Sequence, residues 1–218
     1  MNQKIGKAGA FLMGVSTLVF AVSMFIGFFT DTLAASCIAS FFIAVGYLLF
    51  ISSVFAVSHS SEKKAAGYAG LLFGAVYAVI IFLVYYAEST TVRLNNNLST
   101  ETLSIISFGH VGSLFFNYDL LGYGFMALST FLTGFMIEPK SKSDRVLRGM
   151  LWLHGVFFIP CFLMPMFPIF NAGGQDNTGV IALELWCLYF LPICVLGYGY
   201  FRQHKQGTDS TGNPIIST

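Results

Sequence analysis

The chain has 218 residues, 56% hydrophobic, 17% aromatic and only 10% charged, with a formal net charge of +1. Soluble domains carry a charged share of about 25%, so this composition, with a mean hydropathy of +0.74, excludes an ordinary water-soluble globule and points to a chain whose solvent is a bilayer. No nucleic-acid footprint is present. Cys37, Cys161, Cys187 and Cys194 follow no metal-ligand spacing, so they read as small buried hydrophobes and leave the redox compartment open.

The first apolar run, 9–29, follows Lys4 and Lys7. It is longer than a signal-peptide core of about 7–15 residues, and a second run, 33–57, follows at once. It is therefore expected to stay as a helix, with Asp31 in the turn between the two. The polar patch from His59 to Lys64 closes the second run. The third, 66–86, carries Ala66, Gly70, Gly74 and Ala78 at four-residue spacing. Small residues on one face let two helices approach closely, so this face is expected to be a seam, open to a membrane partner or a second copy of the chain. Residues 87–104 are the most polar internal stretch and read as a solvent loop.

The run from Ile105 to Ile137 is too long for one crossing. As a single helix it would measure about 50 Å, against a hydrocarbon core of about 30 Å. It is expected to divide into an interfacial or re-entrant piece, 103–117, and a span, 118–137. A fifth run, 149–170, contains His154, Pro160, Pro165 and Pro168, and each proline removes a backbone donor and favours a kink. A loop over 171–179 leads to the sixth span, 178–201. Residues 203–218 read as a disordered cytoplasmic tail.

The expected fold is thus all-α, a polytopic helical bundle of six transmembrane helices forming one membrane domain over 1–202. Alternate loops place Lys4, Lys7, Lys63, Lys64, Lys140, Lys142, Arg145, Arg148, Arg202 and Lys205 on one side and Arg93 alone on the other. By the positive-inside rule both termini are cytoplasmic, and the plasma membrane is the expected location.

Ionisable residues within spans are costly and mark candidate sites. By helical rise, Asp119 lies about 27 Å and Glu184 about 26 Å above the inner ends of their spans, whereas His154 lies only about 9 Å above Arg148. His154 is therefore expected to stand apart as a hydrogen-bonded structural histidine. Asp119, Glu184, Asn117, Tyr118, His110 and Tyr123 form the expected ligand-binding set. Asp119, Gly122, Tyr123, Met126, Thr130 and Thr133 fall on one helical face that should meet other helices rather than lipid.

Three arrangements remain open for the acidic level. His110, Asp119 and Glu184 could hold a cation; Asp119 and Glu184 could share a proton or bond Asn117, Tyr118 or Arg93; or each could simply reach headgroup water. No H-E-x-x-H, G-x-S-x-G or Walker motif identifies a catalytic residue, and any cofactor is left open. The function expected is binding or transport of a small molecule or cation through an outward-facing acidic intramembrane site. The alternatives are an intramembrane enzyme acting on a lipid or apolar substrate, and a non-catalytic accessory or sensory subunit.

Overall fold

The structure is a computed structural model that describes residues 1–27, 29–30, 32–58, 61–167 and 178–203. All regular structure among the described residues is helical: α1 Asn2–Ile26, α2 Leu33–Val57, α3 Lys64–Ala87, α4 Thr100–Ile106, α5 Leu114–Met136, α6 Lys142–His154, α7 Phe158–Leu163 and α8 Thr178–Gln203. The segments Asn2–Ile26, Leu33–Val57, Lys64–Val92, Lys142–Met166 and Val180–Gln203 are long and apolar enough to cross a membrane, as integral membrane proteins require. The long helix α5 is not among those five segments; Asn117, Asp119 and its hydroxyl-bearing face dilute its hydropathy. Asp31, His59, Pro168, the loop residues 171–177 with Asp176, Lys205 and the tail from 204 lie outside the described residues.

Several helices begin earlier than the apolar runs. α1 starts at Asn2, α3 at Lys64 and α6 at Lys142, because hydropathy marks where lipid lies, whereas backbone hydrogen bonding continues into water. The α6 start has a chemical cause: Ser141 accepts from the Asp144 N–H, and Asp144 Oδ2 accepts from the Ser141 N–H, closing a capping box. The long run does divide, but at 107–113, so that α5 begins at Leu114. Gly112 there has φ 82°, a left-handed value that suits glycine. Ser113 then caps α5 by accepting from the Phe116 N–H while donating to the Ser107 carbonyl.

The polar stretch 87–104 is not simply a solvent loop. α3 continues through a π-helical turn, Glu88–Val92, and α4 starts at Thr100, with Ser99 as its N-cap. The proline-rich fifth span is broken as expected. A 3-10 turn, Gly155–Phe157, separates α6 from α7, since Pro160 has no N–H to offer the Val156 carbonyl and its ring crowds that turn.

The helices close into a circuit in which α1 packs on α2 and α8, α3 on α2 and α5, α5 on α6 and α7, and α6 on α8. α1 and α2 cross at Gly9 and Gly46: a Cβ at Gly9 would lie 2.7 Å from the Gly46 carbonyl oxygen, and one at Gly46 would lie 2.6 Å from the Met13 nitrogen. The α3 seam is taken up within the chain. Gly70 meets Thr133, Leu132 and Ser129, Gly74 meets Ile51 and Ser129, and the Ser129 hydroxyl donates to the Gly70 carbonyl at 2.6 Å. Gly70, Gly74 and Ala78 are all buried and Ala66 is half-buried, so within the chain this face is occupied by its own helices.

Candidate functional site

α5 presents Asp119, Gly122, Tyr123, Met126, Thr130 and Thr133 to the bundle interior, and all six are buried. Asp119 is 3% exposed, and its Oδ1 is sealed from solvent with no hydrogen-bond partner among the described residues. Facing it, α3 continues the Gly70 and Gly74 line with Tyr77, Ile81, Tyr85 and Glu88 at three- and four-residue spacing, one helical face. The hydroxyls of Tyr77, Tyr85 and Tyr123, with Ser40 on α2, are also buried with no hydrogen-bond partner in good geometry among the described residues.

These groups form one cluster. Tyr77, Tyr85 and Tyr123 each interact electrostatically with Asp119, Tyr123 also with Tyr77 and Tyr85, and Tyr85 neighbours Ser40. The Tyr77 and Tyr123 rings stand 5.9 Å apart, and Tyr47 meets Tyr77 edge-on at 5.5 Å. Native structures pair the great majority of buried polar atoms, so this concentration of unpaired oxygens is the most unusual feature of the interior.

One end of the cluster is closed by Glu88, which is 0% exposed. Its Oε1 accepts from the Ser107 hydroxyl at 2.7 Å and its Oε2 from the Phe108 N–H at 3.0 Å. This ties the end of α3 to the turn before α5 and sets the Phe108 ring 5.5 Å from Tyr85. Glu88 opens the π-helical turn, a local widening that re-aims side chains and recurs at functional sites. In Glu88→Gln the amide keeps one acceptor oxygen and turns a donor toward a second donor. The expected cost is about 1–3 kcal/mol, read as a lower unfolding midpoint with faster amide exchange at Phe108; unchanged exchange would refute the clamp.

The opposite end is closed by His154, 1% exposed. Trp186 Nε1–H donates to His154 Nε2 at 2.9 Å, so Nε2 accepts and the proton of the neutral ring lies on Nδ1. Nδ1–H then donates to Thr130 Oγ1 at 2.7 Å, and the Thr130 hydroxyl donates to the Ala127 carbonyl at 2.9 Å. Every polar atom of the relay is engaged, as expected for a structural histidine. Along α6 it stands about 9 Å beyond Arg148, the depth its sequence position implies. It reaches Trp186, whose ring packs edge-on against Tyr123 at 4.8 Å. His154 thus forms the floor of the cluster without touching Asp119.

Of the six residues expected to bind ligand, the structure brings together Asp119 and Tyr123. Glu184 is half-buried on α8, its Oε1 without a hydrogen-bond partner among the described residues, and it interacts electrostatically with Cys187. Asn117 donates to the Gly112 carbonyl at 3.1 Å, a local tie of the α5 start. Tyr118 is 47% exposed on the outside of the bundle, and half-buried His110 bonds through its backbone to Ser107 and Ser113. Among the described residues no three His, Cys, Asp or Glu converge enough to hold a metal, which sets aside a centre of His110, Asp119 and Glu184.

Tyr77, Tyr85, Ser40 and Glu88 are the members that sequence reasoning missed. The signal for the α3 residues was present, since Tyr77, Tyr85 and Glu88 extend the small-residue face. No protein-family model, curated protein or solved structure matches the chain.

Proposed function

We propose that this is a six-span integral membrane protein of the plasma membrane, both termini cytoplasmic, that binds or transports a small polar molecule or cation at Asp119 in the outer half of the bilayer. The reading rests on one observation: a buried carboxyl without an ionic partner among the described residues, surrounded by buried tyrosine hydroxyls that also lack partners. An ionised carboxyl in a low-dielectric interior needs a compensating charge or hydrogen bonds, and the neighbouring side chains make none with Oδ1.

Six crossings follow if α5 spans. Its polar face is turned inward, where it costs little, and it connects the acidic outer turn to the Lys140–Arg148 cluster that the positive-inside rule assigns to the cytoplasm. Neither alternative has comparable support. An enzyme acting within the bilayer would need a second acid or base at Asp119, and both nitrogens of His154 are engaged in the floor. The accessory reading relied on the α3 seam, which the chain itself buries.

The test is a thermal-unfolding screen of the purified full-length protein against small inorganic cations, organic amines and neutral polar solutes, with wild type and Asp119→Asn in parallel. At least one solute is expected to raise the wild-type midpoint and to leave the variant unmoved. A set of solutes acting equally on both proteins, or on neither, would sink the proposal.

A further inference from the structure

We infer that the Asp119 site takes one monovalent alkali cation, coordinated by the oxygens of Asp119, Tyr77, Tyr85, Tyr123 and Ser40. This narrows the reading above to a ligand class and rests on it.

The donor set supports this choice. The unpartnered buried atoms that converge here are all oxygens, one from a carboxyl and four from hydroxyls, and hard oxygen ligands select hard cations over transition metals. Cys37 and Cys161 also sense Asp119, but no three His, Cys, Asp or Glu of the described residues converge as a soft metal would require.

Charge decides the valence. Among the described residues Asp119 has no salt bridge to a cationic side chain, and no second carboxyl interacts with it. One carboxylate with one monovalent cation is neutral, the arrangement an interior of low dielectric favours. A divalent ion would leave a net positive charge there; such ions are usually held by several carboxylates or keep part of their water shell.

Geometry restricts size and hydration. The five unpartnered oxygens are sealed from solvent, with Phe108 over Tyr85 at the outer end and Trp186 beneath Tyr123. No hydroxyl meets Asp119 Oδ1 in hydrogen-bond geometry; Tyr85 is the hydrogen-bonding neighbour of the carboxyl, and Tyr77 and Tyr123 lie within its electrostatic reach. A small, dehydrated guest between them satisfies all five oxygens at once. Each tyrosine hydroxyl can offer a lone pair inward, a role its ring fixes in place because the phenol has no further torsion that moves the oxygen.

The experiment uses the full-length protein in detergent, unfolded thermally in NaCl, LiCl, KCl or choline chloride at constant chloride and ionic strength, with CaCl2 as a divalent arm. The expected result is a midpoint that rises with the logarithm of alkali-ion concentration beyond saturation, with no rise in choline. Asp119→Asn should abolish the response, Tyr123→Phe should shift it to higher ion concentration, and Glu101→Gln, on exposed α4, should leave it unchanged.

If Asp119→Asn does not fold, binding of radioactive sodium to wild type decides. One ion per chain displaced by excess unlabelled sodium but not by choline supports the inference; absence of saturable binding of sodium and of its lithium and potassium competitors overturns it. Equal midpoints in alkali and choline salts, an equal response in Asp119→Asn, or a response to calcium alone also overturn it. An organic amine that stabilises wild type but not Asp119→Asn, where alkali ions do nothing, would refute the alkali ion while leaving the site intact. No Asp119-dependent ligand of any kind would remove both.

Discussion

Gly46→Val is expected to abolish recovery of folded, monodisperse protein. The added Cβ would lie 2.6 Å from the Met13 nitrogen and 2.9 Å from the Gly9 carbonyl oxygen. Both atoms belong to the backbone of α1, so no rotamer change relieves the clash. The two helices would have to separate, opening the packing of Met13, Phe20, Ile43, Tyr47 and Phe50, each at most 1% exposed. Overpacking of a core costs about 1–3 kcal/mol where side chains can adjust; a backbone-to-backbone collision should reach or exceed the top of that range. Gly149→Ala is the matched control, because a Cβ there meets nothing within 4 Å. Size-exclusion profiles and unfolding midpoints of the two variants check the prediction, and a Gly46→Val protein as stable as Gly149→Ala would contradict it.

The second large effect is expected at His154. His154→Ala leaves the Trp186 indole N–H without an acceptor, removes the donor to Thr130, and opens a cavity beside Tyr189 and Phe190, whose rings lie 5.8 and 5.9 Å from the imidazole. Each orphaned buried group costs about 1–3 kcal/mol, so the pair with the cavity should lower stability by about 3–5 kcal/mol. Thr130→Val removes only the acceptor of the Nδ1 proton and should cost about 1–3 kcal/mol. Because both residues belong to one relay, the double variant should lose less than the sum. Denaturant titrations of the two singles and the double provide the cycle. A purely additive result would show that the relay is not the source of stability, and a His154→Ala protein of unchanged stability would return His154 to consideration as a reactive group.

The two regions meet at Trp186, which bonds His154 below and packs on Tyr123 above. The floor and the carboxyl cluster are therefore coupled by a rigid aromatic contact. The Glu88 clamp plays the corresponding part above, where two hydrogen bonds hold Phe108 against Tyr85.

Much of this was legible in the sequence, for identifiable reasons. Runs such as 33–57 are longer and more apolar than a soluble helix needs, so composition alone implied membrane helices. The bilayer thickness implied that the Ile105–Ile137 run is divided, and Pro160 announced the break at Gly155–Phe157. Asp119 and Tyr123 were marked because a carboxyl in an apolar stretch demands a partner and because the two share a helical face. The helix starts were displaced, since the charged first turns of α1, α3 and α6 are helical without being apolar. Residues 87–104 were misread for a related reason: a polar composition gave no sign that Glu88 would be wholly buried by two hydrogen bonds.

The amino-acid sequence by itself determined the all-helical, membrane-compatible class of the protein, and the presence of one carboxyl, Asp119, on a face that had to be buried. Only the tertiary structure decided which groups share that interior. It placed Tyr77, Tyr85 and Ser40 beside Asp119, put Glu184 elsewhere, and turned the α3 seam inward against α5. The physical reason is that periodicity sets which residues lie on a helical face, whereas the rotation and depth of one helix against another are set by close contacts such as Gly9 on Gly46 and Ser129 on Gly70, which are properties of pairs rather than of any single segment.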